Sequence, residues 1–296
     1  MPGDLTSRKD SRLKTPLHFC HARHHPDLQA AYNAAILENP ANAAITPSYL
    51  TENEPHSDRQ PRLVGSFTKY WARGRTLRIR FLGIAPPFLQ NVFFETACKW
   101  LPHVNLKFTL VTSGDAEIRI DLSQNLNASA VGTDALLAFK RQDVATLYFD
   151  LPNLLDTQKL ITAQGRSFAR FDVGDFLSDN FERVILHEFG HVLGAEHEHQ
   201  HPNANIPWDE QKVIQAYAAK GYSEQTVRKE VLDRYEAADF SYFEYDPKSV
   251  MHYNVAQDET QGDFTIDNSG LGLSHKDIEF ISTIYGDRQN SRGPLT

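Results

Sequence analysis

The sequence predicts an α+β fold: a twisted mixed sheet beside one long helix, followed by a mostly helical C-terminal part. Three observations predict it. Short segments that alternate apolar and polar residues gather between residues 76 and 149, as half-buried strands require. A single helix-length run around residue 187 follows them, and from residue 208 onward helical periods take over.

The chain has 296 residues, 41% hydrophobic and 23% charged, the balance of an ordinary globular protein. A formal net charge of −8 argues against nucleic acid as a partner, since phosphate binding needs a basic surface. Runs of about 18 apolar residues are missing, which argues against a membrane span. The N-terminus is polar and mildly basic without the apolar stretch of a secretory signal, so the expected location is the cytoplasm or a non-classical export route. The chain is expected to act as a monomer. Its two cysteines, Cys20 and Cys98, exclude a disulfide scaffold and leave one disulfide open.

Residues 1–60 look different from the rest of the chain. Within them Leu28, Ala31, Ala35 and Ile36 can form one face of a short helix that Asn39-Pro40 ends. TENEPHSDRQP is a proline-punctuated linker, which puts the boundary of the main domain near residue 61. In TLRIRFL, Leu77, Ile79 and Phe81 face one side and Arg78 and Arg80 the other, as a strand demands. Pro86-Pro87 opens a helix whose stripe would be Phe88, Val92, Ala97 and Trp100. A second strand runs through Val104, Leu106, Phe108 and Leu110, a third through Ile118 and Ile120, and a fourth from Ala145 to Phe149. Residues 151–178 show no period and read as a surface excursion. Two helices are expected at 208–220 and 223–236, separated by Gly221. Ser274 and Asp277 form a capping box for a last helix that carries Ile278, Ile281 and Tyr285 and stops at Gly286.

The chemistry concentrates in HEFGHVLGAEH, residues 187–197. Asp179 and Glu182 mark a candidate start for the helix that carries it. His187 and His191 are four apart, so both imidazoles leave one helix face, the spacing of two ligands to one metal ion. Glu188 is displaced around the helix and can reach a water at the metal instead of the metal itself. Gly194 can take a left-handed conformation, end the helix and return His197 to the same ion. Three imidazoles and an open position are the design of a catalytic zinc site, whereas structural sites are closed and cysteine-rich. Five fixed positions arise by chance in about one chain of this size in ten thousand, so a merely polar helix end is a poor competitor.

This stretch is similar to the extended zinc motif HExxHxxGxxH of the metzincin metallopeptidases. Glu198 after the third histidine, and Met251 within SVMHY, resemble the astacin branch. GTDALLAF (132–139), HPNANIPWD (201–209), FEYDPKSVMHY (243–253) and LSHKDIEFISTIYG (273–286) extend the likeness to microbial astacin-like metallopeptidases over about residues 61–287, and PDLQAAYNAAILENPANA (26–43) resembles their leader region, which implies that residues 1–60 are a leader or propeptide-like segment. The resemblance implies a metzincin-type fold, with an upper subdomain of about 61–197 and a lower one of about 198–290. It also implies one catalytic zinc ion held by His187, His191 and His197, and peptide-bond hydrolysis of peptide or protein substrates. Glu188 would be the general base, Tyr253 would stabilise the oxyanion, and Met251 would form a packing turn beneath the imidazoles.

Glu198 would contact a newly freed N-terminus in a mature relative, with a solvated glutamate as the alternative. His199, His201 and His252 are read as neighbours of the site, not ligands. Cys20, within HFCHARHHPD, could place a thiolate on the zinc and hold a zymogen inactive, as in some metzincins. A buried free thiol and a Cys20–Cys98 disulfide are the competing readings. His18, His21, His24 and His25 beside it could form a weak secondary metal site, with solvated side chains as the preferred reading. Two other functions stay open: a zinc hydrolase acting on a specialised small peptide or amide, and an inactive binding module, against which the intact Glu188 speaks.

Overall fold

The computed structural model describes residues 20–44, 67–138, 140–155, 177–235 and 244–286. Its sheet has six strands, in the order β1 (Cys20–Arg23), β5 (Asn127–Ala130), β6 (Leu147–Tyr148), β4 (Ile118–Asp121), β2 (Thr76–Phe81) and β3 (Lys107–Leu110). All neighbours pair in parallel except β5 with β6, which are antiparallel, so the sheet is mixed. Leu77 and Ile79 are buried on β2 as their alternation requires. Between them Arg78 extends to the Glu117 carboxylate at 2.8 Å. Burial opposes the Glu117 charge, but the hydrogen bonds from Arg78 hold its carboxyl below the usual range.

Helices α1 (Leu28–Glu38), α2 (Pro87–Ala97), α3 (Leu151–Leu154), α4 (Phe181–Val192), α5 (Glu210–Ala218), α6 (Glu224–Val227) and α7 (His275–Tyr285) complete the frame. The segment expected to be a second long helix after Gly221 is α6 continued by one π-helical turn, Arg228–Leu232. On α2 the buried stripe is Leu89, Phe93, Thr96 and Ala97, one position on from the expected Phe88 and Val92, and Phe88 is exposed. The reason is where the helix packs: Phe93 meets Phe81, Phe149 and Phe181 edge to face, which sets its rotation. The Ser274–Asp277 capping box of α7 forms as expected, and Gly221 has φ +91° at the stop between α5 and α6.

The main core joins the sheet to α2, α4 and α7. Apart from Glu182, every residue of α4 is buried. Its start differs from the expected box. Asn180 is the cap residue and makes no side-chain capping bond, while Glu182 turns outward to Lys99 at 2.5 Å. Two fully buried indoles bracket the helix, Trp71 donating to the Val192 carbonyl at 2.8 Å and Trp100 to that of Leu186 at 3.1 Å. The expected boundary near residue 61 and most of the 151–178 excursion lie outside the described residues. Within them, the leader-like segment packs against the rest through β1 and α1, and Ala31 and Ala35 share a small cluster with Phe67.

Candidate metal centre and active site

Helix α4 supplies His187, Glu188 and His191 from one buried turn and a half. After Val192 the chain breaks at Gly194, whose φ of +93° is the left-handed turn the motif calls for. A side chain there would also meet the Tyr70 ring at 2.8 Å. The turn returns His197 to the helix face, with its Nε2 3.1 Å from that of His191.

The Nδ1 atoms of two histidines face carbonyls: His187 that of Val250 at 2.8 Å, and His191 that of Ala195 at 2.8 Å. A carbonyl only accepts, so each Nδ1 carries the proton and each Nε2 presents a lone pair inward. His187 Nε2 is buried without a hydrogen-bond partner, and one ligand atom from each of His187, His191, His197 and Cys20 lies within 4.8 Å of the others. Burial, then the charge of His191, pulls the His187 and His197 imidazoles well below the usual range. Burial likewise brings His191 to about 4. Neutral imidazoles with converging lone pairs are the donor set that zinc takes, so the residues fit the ion.

Beneath them runs the turn 249–253. A Cβ built on Gly190 would overlap Met251 Sδ, so the second x of HExxH has to be glycine for the thioether to lie against the helix. Asp277 at the head of α7 holds this turn, accepting from Ser249 Oγ at 2.6 Å, Val250 N–H at 2.8 Å and Ser274 N–H at 2.8 Å. Buried Arg183 adds two bonds, to the carbonyls of Ser249 (2.7 Å) and His252 (2.9 Å). Neither role of these two residues is visible in the motif itself. The signal available was the capping box, which explained Asp277 only as a helix cap.

Glu188 is buried, and burial pushes its carboxyl up to about 8 even though a hydrogen bond from Cys20 opposes the shift. Burial, with the charge of Glu188 and the hydrogen bond to it, pushes the Cys20 thiol well up in turn. Tyr253 stacks on His199 at 4.0 Å. Its hydroxyl donates to the Cys20 carbonyl at 2.6 Å and accepts from the Cys20 N–H at 3.0 Å. His199, His201 and His252 are all buried, and His199 and His252 have protein partners in Glu230 O and Tyr245 Oη. They stand outside the four-residue cluster of the described residues. Glu198 accepts from the Asp246 N–H at 2.7 Å, and burial pushes its carboxyl up to about 8. Cys20 and Cys98 are both free thiols, which removes the disulfide reading.

Comparison with known proteins follows the same line. The family model described as astacin, a peptidase family, matches residues 178–285. The structure of myroilysin is 30% identical, covers 74% of this chain and 97% of its own, and superposes with a TM-score of 0.61. The chain belongs to the astacin family. A second structure of myroilysin is 30% identical over 73% of this chain and 86% of its own, with a TM-score of 0.51. High choriolytic enzyme 1, a hatching-enzyme zinc protease of the medaka fish Oryzias latipes, is 15% identical over 74% and 96%, with a TM-score of 0.47. Comparison with curated proteins gives no match. As an astacin-family member the chain has the metzincin fold and is a zinc metallopeptidase, acting on peptide or protein substrates. Among its described residues no helix is long and apolar enough to cross a membrane.

Proposed function

We propose that this chain is a zinc endopeptidase in a latent form, with the N-terminal segment lying in its own cleft. The observation that carries the reading is the convergence of Cys20 with His187, His191 and His197, all four buried. His187, His191 and His197 would hold the ion, with Cys20 placed to be its fourth ligand. Zinc, when bound, supplies Lewis acidity towards the scissile carbonyl and lowers the pKa of the attacking water.

The protein groups do the rest. Glu188 takes a proton from the attacking water and returns it to the leaving amine. Tyr253 donates from its hydroxyl to the developing oxyanion. Met251 packs against Gly190 beneath the histidines and keeps them in register. In the latent form the leader occupies the working groups: the Cys20 sulfur would fill the metal position beside Glu188, and the Cys20 main chain engages the Tyr253 hydroxyl.

The test uses a mixed peptide library and mass spectrometry of the chain before and after activity develops. Internal peptide bonds should be cut, and Glu188→Gln should lower kcat by a factor of about 10² to 10⁴ with zinc content unchanged. A Glu188→Gln protein as active as the parent would remove the assigned base. Cleavage confined to one small amide would favour the specialised hydrolase instead.

A further inference from the structure

The thiol is one contact among many between the leader and the catalytic part. His24 sits in a polar socket where Lys69 Nζ donates to its Nδ1 at 3.0 Å and its Nε2 lies 3.4 Å from the Glu196 carboxylate. Asp134 closes the socket, accepting from Lys69 at 2.6 Å and from the His25 main-chain N–H at 2.9 Å. The Asp134 and Lys69 side chains are only 2% and 11% exposed, so these are well-shielded interactions.

Farther along, fully buried Asn42 uses its whole amide. Its Nδ2 donates to the carbonyls of Ala35 at 2.9 Å and Tyr70 at 2.8 Å. Its Oδ1 accepts from Thr68 Oγ1 at 2.7 Å and Tyr70 N–H at 3.0 Å. Residues 68–71 in turn abut the zinc motif, since Tyr70 packs on Gly194 and Trp71 reaches Val192. These contacts make the leader a fitted part of the molecule, and none of them involves sulfur.

Resting on the latent-endopeptidase reading, we propose that the leader is held by a second, thiol-independent latch. It is made of His24 in the Lys69–Asp134–Glu196 socket and Asn42 on residues 68–70, so that loss of the Cys20 thiol alone leaves the cleft covered. Activation then needs the leader itself to be displaced or destroyed, not only its thiol to leave the metal.

The test places substitutions in the leader of the zinc-loaded full chain and follows hydrogen exchange of residues 20–23 and 127–130, together with peptide hydrolysis. Cys20→Ser should keep exchange within about threefold of wild type and stay nearly inactive. Adding His24→Ala and Asn42→Ala should speed exchange by about 100-fold or more, since each lost hydrogen bond counts for roughly a factor of five, and hydrolysis should appear. If the triple variant does not fold, Cys20→Ser with His24→Ala alone should still speed exchange by about tenfold. The latch is overturned if Cys20→Ser by itself exchanges as fast as the multiple variants, or if they exchange as slowly as Cys20→Ser. Rapid exchange in a zinc-loaded triple variant that cuts no peptide would leave the latch standing and sink the endopeptidase reading.

Discussion

Replacing Asp277 tests how the metal centre is supported from below. Its carboxylate is 6% exposed and accepts from Ser249 Oγ, Val250 N–H and Ser274 N–H. Asp277→Ala takes the acceptor from one buried N–H, one half-buried N–H and one hydroxyl. A hydrogen bond to a charged group is worth about 1.5–3 kcal/mol, but relaxation and water recover part of the total, so a loss of about 3–5 kcal/mol is expected. In a domain of this size that corresponds to a fall in Tm on the order of 10 °C. Asp277→Asn keeps one acceptor oxygen and should cost about half as much. The effect should also reach the zinc. Val250 lies between Asp277 and His187, donating its N–H to the first and accepting from Nδ1 of the second. Supports of this kind change metal affinity by about 10- to 100-fold, so chelator competition should show that loss in Asp277→Ala. Thermal unfolding and competition titrations on the same protein are the assays. An Asp277→Ala protein within about 1 kcal/mol of wild type, with unaltered zinc affinity, would refute the reasoning.

Two further outcomes are expected. Gly190→Ala should destabilise the chain by about 1–3 kcal/mol, because the new methyl runs into Met251 Sδ. Met251→Ala in the same chain should recover part of that loss, and strictly additive effects would deny the contact. Chelator-treated protein should lose stability as pH falls from about 6.5 to 4. Burial holds His191 and His252 near 4 in the folded state, whereas the unfolded chain protonates both below their ordinary 6.5. Burial also holds His187, His197 and His199 well below that value, whereas Glu188 and Glu198, raised to about 8, keep their protons in the folded state. Five imidazoles against two carboxyls leave the unfolded state binding more protons across that window, and each imidazole held near 4 removes at most about 3 kcal/mol. Denaturant midpoints that do not change between pH 7 and 4.5 would contradict this.

Much of the site was legible because its geometry is local. Four-residue spacing fixed His187 and His191 on one face, and the need for a sharp turn singled out Gly194. What the sequence concealed is what tertiary contact creates. Strands β1 (CHAR) and β5 (NASA) have small or polar residues with no apolar alternation, and only pairing within the sheet, β1 with β5 and β5 with β6, makes them strands. The close approach at Gly190 depends on a methionine 61 residues away, and no local pattern records it. Asn42 looks like one more loop asparagine until residues 68–70 fold onto it. The stripe on α2 was read one residue early because helix periodicity does not say which face the neighbouring phenylalanines will claim.

Zinc-edge X-ray absorption on the full chain decides whether His187, His191 and His197 hold zinc with Cys20 closing the site. One bound zinc is expected, with three nitrogen neighbours at about 2.0–2.1 Å and one sulfur at about 2.3 Å, the sulfur shell vanishing in Cys20→Ser. A shell of nitrogen and oxygen alone in the unaltered chain would contradict this arrangement.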